Sequence, residues 1–340
     1  MKKEKNLKFM MEDEMENTKW VLDTCGDLEG RVRSFLGALW GQARLDGMLI
    51  PVYAAENDLP GPRLITLQNE LQQASPFIPL MPVNSAKLIE RLNAHYPASR
   101  FAAVLRSCEA RALAEHMHRT NLSFPNWLMI GVDCLASFPQ EDFSWRLERA
   151  GDIHSLTRQV LRSARQGGIS TDRFRAGCQM CLNPGAQFAD ISIAIIGLPT
   201  KEYALVTARS DSIASKFALG QITEGHAPSW LVEQHDRVLA MMTERHQRVK
   251  QRLLAELESG LPQDVDSWIS HLQNCGGCES CLEACPLYTG QLAQGHEAVA
   301  EWLAGCVSCG MCEQACPQHL PITALIRRIV ENLSEDLAAV

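Results

Sequence analysis

The chain has 340 residues, of which 46% are hydrophobic and 21% charged, a composition typical of a folded protein with room for two domains. Its formal net charge of -8 argues against a nucleic-acid partner, because phosphate contacts require a basic surface. No stretch is apolar for long enough to cross a bilayer, and the charged first residues lack the apolar core of a signal peptide. The 13 cysteines indicate a reducing compartment, so we expect a cytoplasmic protein without a membrane span.

The first 225 residues divide into a lead-in, residues 1–27, and an α/β domain, residues 28–225. Apolar spacing predicts the elements of this domain. In chain order they are a helix over Arg31–Asp46, strands over Met48–Tyr53 and Leu64–Leu67, a helix over Ala86–His95 capped by Ser85, a strand over Phe101–Arg106, a helix over Glu109–Arg119, a strand over Trp127–Asp133, a helix over Ile153–Gln166, and strands over Ile191–Leu198 and Tyr203–Ala208 that could form a hairpin. The alternation of strands and helices favours a mixed or parallel sheet with helices.

The remaining residues are predicted to be mostly helical. A long, highly charged helix over Trp230–Glu258 is interpreted as a connector at residues 226–262, although it could instead lie across the first domain. Further helices are expected over Asp266–Gln273 and Glu297–Leu303, in a small domain at residues 263–325 that precedes a tail at residues 326–340. Because β-branched alternation is missing here, we expect a helical rather than a hairpin-based small domain.

Eight cysteines near the end of the chain form two copies of the pattern C-x2-C-x2-C-x3-C-P, the spacing of a bacterial two-cluster ferredoxin. In such ferredoxins the fourth cysteine of each copy binds the other cluster. We therefore assign one 4Fe-4S cluster to a first set, Cys275, Cys278, Cys281 and Cys316, and another to a second set, Cys306, Cys309, Cys312 and Cys285. Structural zinc and disulfides are the alternatives, but neither explains the repeated third cysteine, fourth cysteine and proline.

Four further cysteines can be placed by the predicted sheet. Cys108 and Cys134 each follow a predicted strand, and the carboxyl ends of parallel strands meet at one edge, where open α/β folds carry their sites. Cys178 and Cys181 add a C-x2-C pair from a loop. We call these four residues the third set and predict that they bind a third 4Fe-4S cluster. Zinc, or burial of Cys108 and Cys134 as small apolar residues, remains the alternative; Cys25 is left over.

The third set lies in two segments, VLRSCEARALAEHMHRTNLSFPNWLMIGVDCLA and GCQMCLNPGAQFADISIAIIG. These segments resemble a known family, that of the coenzyme F420 hydrogenase and dehydrogenase beta subunits, and within it they are most similar to the formate dehydrogenase beta subunit. The positions that carry the resemblance are Arg106, Cys108, Glu109 and Arg111, the stretch Ile130 to Cys134, and the pair Ala189 and Asp190. The resemblance covers residues 30–210, and the paired cluster motif also occurs in formate dehydrogenase beta subunits.

The resemblance implies a subunit that binds FAD together with a 4Fe-4S cluster and reacts with the deazaflavin F420. Arg106 and Arg111 are candidates for a flavin phosphate or for a reduced cluster, although each could instead pair with Glu109 or Glu115. Asp190 is a candidate for the flavin ring or ribose, and Lys87 for a phosphate, with a solvated lysine as the alternative. No G-x-G-x-x-G follows a predicted strand, so a nicotinamide site of the Rossmann type is not supported.

These observations predict an oxidoreductase subunit that relays electrons between F420 and a catalytic partner, a formate dehydrogenase or a hydrogenase, through 4Fe-4S clusters and FAD. No catalytic side chains are predicted. One alternative is a flavin-free electron-transfer subunit that links two redox enzymes, for example to a heterodisulfide-reductase-like partner; the apolar stretch after Asp190 favours it. Another alternative is a subunit that uses a nicotinamide or quinone acceptor.

Overall fold

The first domain is built on one mixed β-sheet. The computed structural model describes residues 18–53, 59–168, 173–260, 275–290 and 296–338. The described strands are β1 (Lys19–Asp23), β2 (Gly47–Val52), β3 (Gly61–Ile65), β4 (Phe101–Arg106), β5 (Trp127–Val132), β6 (Ile191–Ala194) and β7 (Tyr203–Ala208). They form a sheet of order β1-β7-β6-β5-β4-β2-β3, in which β2, β4, β5 and β6 are parallel and the outer pairings are antiparallel. The predicted mixed sheet with helices is confirmed.

The described helices surround this sheet and continue into the cysteine-rich region. They are α1 (Leu28–Ala43), α2 (Ser85–His95), α3 (Ser107–Thr120), α4 (Gln140–Ala150), α5 (Ile153–Leu161), α6 (Ala176–Gln179), α7 (Asp211–Lys216), α8 (Leu219–Ile222), α9 (Ser229–Gly260), α10 (Ser280–Ala284), α11 (His296–Ala304), α12 (Met311–Gln314) and α13 (Ile322–Ala338). Short 3₁₀ helices lie at Gln68–Gln73 and Ala164–Gln166.

Both faces of the sheet are covered, because alternate side chains of β4 enter different hydrophobic clusters. Ala102 and Val104 belong to a large cluster with residues of α1 and α5. Phe101, Ala103 and Leu105 belong to a second cluster with residues of α2 and α3. Successive side chains of a strand point to opposite faces, so this run of buried residues fits a central strand. The second cluster also contains Leu287 and Val307, so the cysteine-rich region packs on the α2 and α3 face.

Several local predictions need correction. Residues 19–23, expected to belong to a peripheral lead-in, form edge strand β1, which pairs with β7. The N-cap of α2 is Asn84, whose side chain accepts the Ala86 N–H at 3.1 Å. Ser85, which was predicted as the cap, is instead the first residue of the helix, and its hydroxyl donates to Glu109. Helix α5 ends at Leu161, before the predicted end, and β6 ends at Ala194.

The long helix α9 lies across the first domain, which was the alternative to the predicted connector. Its residues Val238 and Met242 are buried in the large hydrophobic cluster. The helix approaches Gly197 so closely that a Cβ there would lie 2.7 Å from the Cβ of Val238. His235 of the helix also makes a 2.9 Å contact between its Nδ1 and the Ile196 carbonyl oxygen. Helix α9 therefore contributes to the core of the first domain.

The regular structure of the cysteine-rich region is helical, as predicted: the described residues 275–290 and 296–338 contain the helices α10 to α13, joined by loops, and no strand. Helix α13 runs from Ile322 to Ala338, so the boundary between a small domain and a tail near residue 326 falls inside one helix. Lys250 of α9 forms an ion pair with Glu331 of α13, which joins the two helices. The predicted helix Asp266–Gln273 and residues 1–17 lie outside the described residues.

Candidate iron-sulfur sites

The four cysteines of the third set converge at the carboxyl edge of the sheet. Cys108 follows β4 and Cys134 follows β5, and these strands are parallel neighbours in register up to Arg106 and Val132. Burial raises the pKa of the Cys108 thiol, and the thiols of Cys134 and Cys181 raise it further. The pKa of Cys134 is also raised, first by burial and then, against the opposing charge of Arg106, by Cys178. Each of the four sulfur atoms therefore interacts with at least one other member of the set.

Cys108 is held in place by Glu109, which is buried at the start of α3. One carboxylate oxygen of Glu109 accepts the Ser85 N–H at 3.0 Å and the Ser85 hydroxyl at 2.6 Å. The other oxygen accepts the Arg106 N–H at 3.0 Å. A carboxylate at a helix N-terminus satisfies free N–H groups and interacts favourably with the helix dipole. Glu109 thus ties α3 to α2 and fixes the turn that presents Cys108.

Asp133, the residue before Cys134, fixes the loop that follows the C-x2-C pair. Its buried carboxylate accepts the backbone N–H groups of Ala186 at 2.8 Å, Ile195 at 2.8 Å and Ile196 at 2.9 Å. The Cys134 N–H donates to the Pro184 carbonyl oxygen at 2.8 Å. Hydrogen bonds from N–H groups to a carboxylate are stronger than neutral ones. The end of β5 therefore brings residues 184–186 beside Cys134, and with them the nearby Cys181.

The second set surrounds a cavity of about 150 Å³. All four of its cysteines, Cys285, Cys306, Cys309 and Cys312, line this cavity. The other lining residues are largely apolar and include Leu287, Trp302 and Ile326. Burial raises the pKa of Cys309, to about 12, and the thiols of Cys306 and Cys285 contribute to that rise. Four inward-lining thiols around an apolar cavity suit a 4Fe-4S cluster.

The first set lies at the outer end of the cysteine-rich region. Cys275 and Cys278 are exposed, Cys281 is partly buried and Cys316 is buried. Burial raises the pKa of Cys281, and the thiols of Cys275 and Cys316 raise it further. Cys316 comes from the second copy of the motif, so the structure brings a cysteine of the second copy near Cys281 of the first. Cys281 also lines the cavity of the second set, so the two sets are neighbours.

None of these sets has the compact geometry of a single-ion site. Zinc with four thiolates holds its sulfur atoms about 3.8 Å apart, given a zinc-sulfur bond of about 2.3 Å. Within the parts of the chain that the structure describes, no three His, Cys, Asp or Glu side chains are grouped closely enough to hold one metal ion. A four-iron cube spreads its cysteine ligands more widely, because each sulfur binds a different iron atom.

The second and third sets meet at a tight junction between the two domains. The thiol of Cys309 in the second set contributes to raising the pKa of Cys108 in the third. A Cβ added to Gly177, beside Cys178, would lie 3.0 Å from the Ser308 carbonyl oxygen and 3.2 Å from Gly310 Cα. The backbones of the two domains are thus in contact where the two sets adjoin.

Three of the predicted flavin contacts are engaged by protein groups. Arg106 is buried and donates to the carbonyl oxygens of Ile78 and Leu80. The Asp190 carboxylate accepts the Met129 N–H at 2.9 Å and pairs with Arg209 at 2.8 Å. The Nζ of Lys87 donates to the Glu283 carbonyl oxygen in the cysteine-rich region.

The fourth predicted flavin contact, Arg111, lies beside the third set. It is partly buried, its charge lowers the otherwise raised pKa of Cys181, and its Nε has no hydrogen-bond acceptor among the described residues.

Sequence reasoning missed Arg175 and underestimated Asp133. Arg175 is buried near Cys178, with its Nη2 3.7 Å from the Cys178 sulfur. Its position three residues before a C-x2-C pair was the available signal. Asp133 is visible in the sequence only as part of the motif that ends in Cys134, and its three N–H partners lie 53 to 63 residues away in the chain. Cys25 is exposed and belongs to none of the sets.

Comparison with known proteins supports both domains. Residues 98–224 match the family model for the carboxy-terminal region of the coenzyme F420 hydrogenase/dehydrogenase beta subunit, and residues 267–318 match a 4Fe-4S dicluster domain. The resemblance inferred from the cysteine motifs is therefore confirmed. No curated protein matches the chain.

A chain from the F420-reducing [NiFe] hydrogenase complex of Methanosarcina barkeri has a similar fold, with a TM-score of 0.51 at 12% identity. The alignment covers 69% of this chain and 91% of the other. None of the helices that the structure describes has both the length and the apolar composition needed to cross a membrane.

Proposed function

We propose that this chain, which joins an F420 hydrogenase/dehydrogenase beta-subunit domain to a 4Fe-4S dicluster domain, is an electron-transfer subunit of an oxidoreductase complex. The first, second and third sets would each hold a 4Fe-4S cluster, which supplies a one-electron carrier. The observation that carries the proposal is the close approach of Gly177, beside Cys178, to Ser308 and Gly310, which flank Cys309, because it makes the second and third sets adjacent. The chain's own residues enclose the second site, fix the third, and leave the first exposed.

The arrangement suits transfer between partners rather than chemistry on a bound substrate. Cys275 and Cys278 are exposed, so the first set offers an access point for a redox partner. The third set lies at the sheet edge where open α/β domains bind ligands. The proposed partner is the catalytic protein of a hydrogenase or formate dehydrogenase, since beta subunits of this family serve such enzymes. A heterodisulfide-reductase-like protein is the alternative partner, and the cytoplasm is the proposed location.

A second candidate function is the flavin-containing relay to coenzyme F420, which the match at residues 98–224 favours. The engagement of Arg106, Asp190 and Lys87 by protein groups counts against it, because a flavin would need other contacts. In the alternative with a nicotinamide or quinone acceptor, the subunit would carry the same flavin. The two candidates differ in one measurable property, the flavin content of the purified protein.

Iron, sulfide and flavin content of anaerobically purified protein tests both candidates. We expect about twelve irons per chain, falling by about four in Cys178→Ala, and no flavin. Cys25→Ala is the matched control, since Cys25 belongs to none of the three sets, and it should keep all the iron. About eight irons, unchanged in Cys178→Ala, would refute the third cluster. One FAD per chain would establish the flavin-containing relay instead.

A further inference from the structure

Arg175 is a buried cation without an acidic partner. Only 6% of the residue is exposed, although arginine is among the residues that are least often buried. Within the described parts of the chain, no Asp or Glu carboxylate forms an ion pair with it. Burying a charge is costly unless it is paired and hydrogen-bonded. The position of Arg175 therefore calls for a source of negative charge.

The direct contacts of Arg175 are long, and three of the four are to sulfur, a weak acceptor. Its Nη1 lies 3.4 Å from Met311 Sδ and 3.4 Å from Gln314 Oε1. Its Nη2 lies 4.0 Å from Met81 Sδ and 3.7 Å from Cys178 Sγ. The Nε is buried without a hydrogen-bond acceptor. A guanidinium has five N–H donors, and thioether sulfur is a poor acceptor, so these contacts leave it incompletely satisfied.

Arg175 lies between the two neighbouring cysteine sets. Its Nη2 is 3.7 Å from the Sγ of Cys178, a member of the third set. Its Nη1 contacts Met311 and Gln314 on α12, the helix that also carries Cys312 of the second set. A 4Fe-4S cube with four thiolates carries a net charge of about -2, and about -3 when reduced, and this charge is one determinant of its potential.

We propose that Arg175 is a shared counter-charge for the clusters of the second and third sets, which favours their reduced states and lessens the repulsion between them. It is a positioning and tuning residue, not an iron ligand. The inference rests on the proposed function, because it requires a cluster at each of the two sets. Its location at the junction, beside Gly177 and against α12, lets one guanidinium act on both sites.

The test is a redox titration of the clusters by electron paramagnetic resonance in Arg175→Met, Arg175→Lys and the wild-type protein, with iron counted in each. We expect Arg175→Met to lower the potentials of the second and third clusters. At a fixed potential the ratio of oxidised to reduced cluster should rise about tenfold, which is about 59 mV for one electron. Arg175→Lys should keep most of the wild-type value. The cluster of the first set is the internal control, and Arg31→Met, which removes a remote guanidinium paired with Glu224, controls for net charge.

Unchanged potentials in Arg175→Met with all the iron present would overturn the proposal and leave Arg175 a packing residue. If Arg175→Met loses the third cluster, the effect on the second cluster is measured in proteins that lack the third. The two proteins compared are Cys178→Ala and the double variant Cys178→Ala/Arg175→Met. There the potential of the second cluster should still fall, and an equal potential in the two proteins would overturn the proposal. Failure of the proposed function shows separately, as fewer than about twelve irons in the wild-type protein.

Discussion

The first and third cysteine sets use the same ligand type in opposite environments. The first set has two exposed cysteines, Cys275 and Cys278, on a short loop that precedes α10. The third set lies at the edge of a seven-stranded sheet, where buried carboxylates fix the backbone around it. The contrast shows that cysteine spacing specifies a cluster in the first case, whereas the tertiary structure assembles the site in the second. It also separates a set with two exposed cysteines from a set whose four cysteines are all partly buried.

The largest loss of stability should come from Asp133→Ala, which leaves the buried N–H groups of Ile195 and Ile196 and the partly buried N–H of Ala186 without an acceptor. Each unsatisfied buried donor costs about 1 to 3 kcal/mol, so we expect a loss of about 3 kcal/mol or more in the free energy of unfolding. About four irons should also be lost, because the loop that follows Cys181 is released. Denaturant unfolding and iron analysis measure the two effects.

The control for this variant is Asp142→Ala, which removes an exposed carboxylate that pairs with Arg146 on α4. It should change the free energy of unfolding by less than about 0.5 kcal/mol and keep all the iron. If Asp133→Ala retained its iron and its stability, neither the loop after Cys181 nor the cluster of the third set would depend on the Asp133 carboxylate.

The next effect concerns the junction between the domains. Gly177→Ala places a methyl group 3.0 Å from the Ser308 carbonyl oxygen and 3.2 Å from Gly310 Cα. Because both contacts are backbone atoms, we expect a loss of about 1 to 3 kcal/mol in the free energy of unfolding. Electron exchange between the second and third clusters should also slow, as measured by rapid-freeze reduction kinetics.

Gly41→Ala is the matched control, since a Cβ there meets nothing within 4 Å and the residue lies in α1. The free energy of unfolding of this variant should rise by about 0.5 to 1 kcal/mol, because alanine has a higher helix propensity than glycine. If the two variants had the same free energy of unfolding and the same rate of electron exchange, the close approach at Gly177 would matter for neither property.

Exposure to air should destroy the cluster of the first set before the cluster of the third. The cluster of the first set is held partly by exposed cysteines, so oxidants and chelators reach it directly. We expect the first four or so irons to be lost while the signal of the third cluster persists. Spectroscopy during iron release measures this order. The variant Cys278→Ala should lack the early phase, in which the irons of the first set are lost. If the third cluster were lost first, the expectation that the first set is the more accessible to oxidants would be wrong.

The smallest effect is on thiol reactivity in protein freed of iron. Hydrogen bonds from Ser280 lower the pKa of Cys278, whereas burial raises the pKa of Cys134. A lowered pKa means that the reactive thiolate is populated at lower pH, so Cys278 should be alkylated faster at pH 8. Its rate should reach a plateau at a lower pH than that of Cys134. Mass spectrometry of a time course with iodoacetamide measures both; equal rates would contradict the contrast.

Much of the fold follows from local patterns in the sequence. The strands β4 and β7 were predicted with their observed bounds, because short apolar runs between helical segments indicate buried strands. Strand β1 was missed, since it is an edge strand in a charged segment and its pairing partner β7 lies about 180 residues away. The position of α9 could not be predicted for the same reason: its charges are visible locally, but the surface it covers is not.

The cysteine motifs alone indicate two clusters, predict which cysteines bind each of them, and suggest the protein family. The ligands of one cluster lie within about forty residues, and their spacing reflects the geometry of the cluster itself. Only the tertiary structure decided what surrounds the third set, why Arg106, Asp190 and Lys87 are engaged elsewhere, and that Arg175 lies between two sets. Those contacts join residues far apart in the chain, and burial and hydrogen bonding across the sheet and the domain junction, not local spacing, determine them.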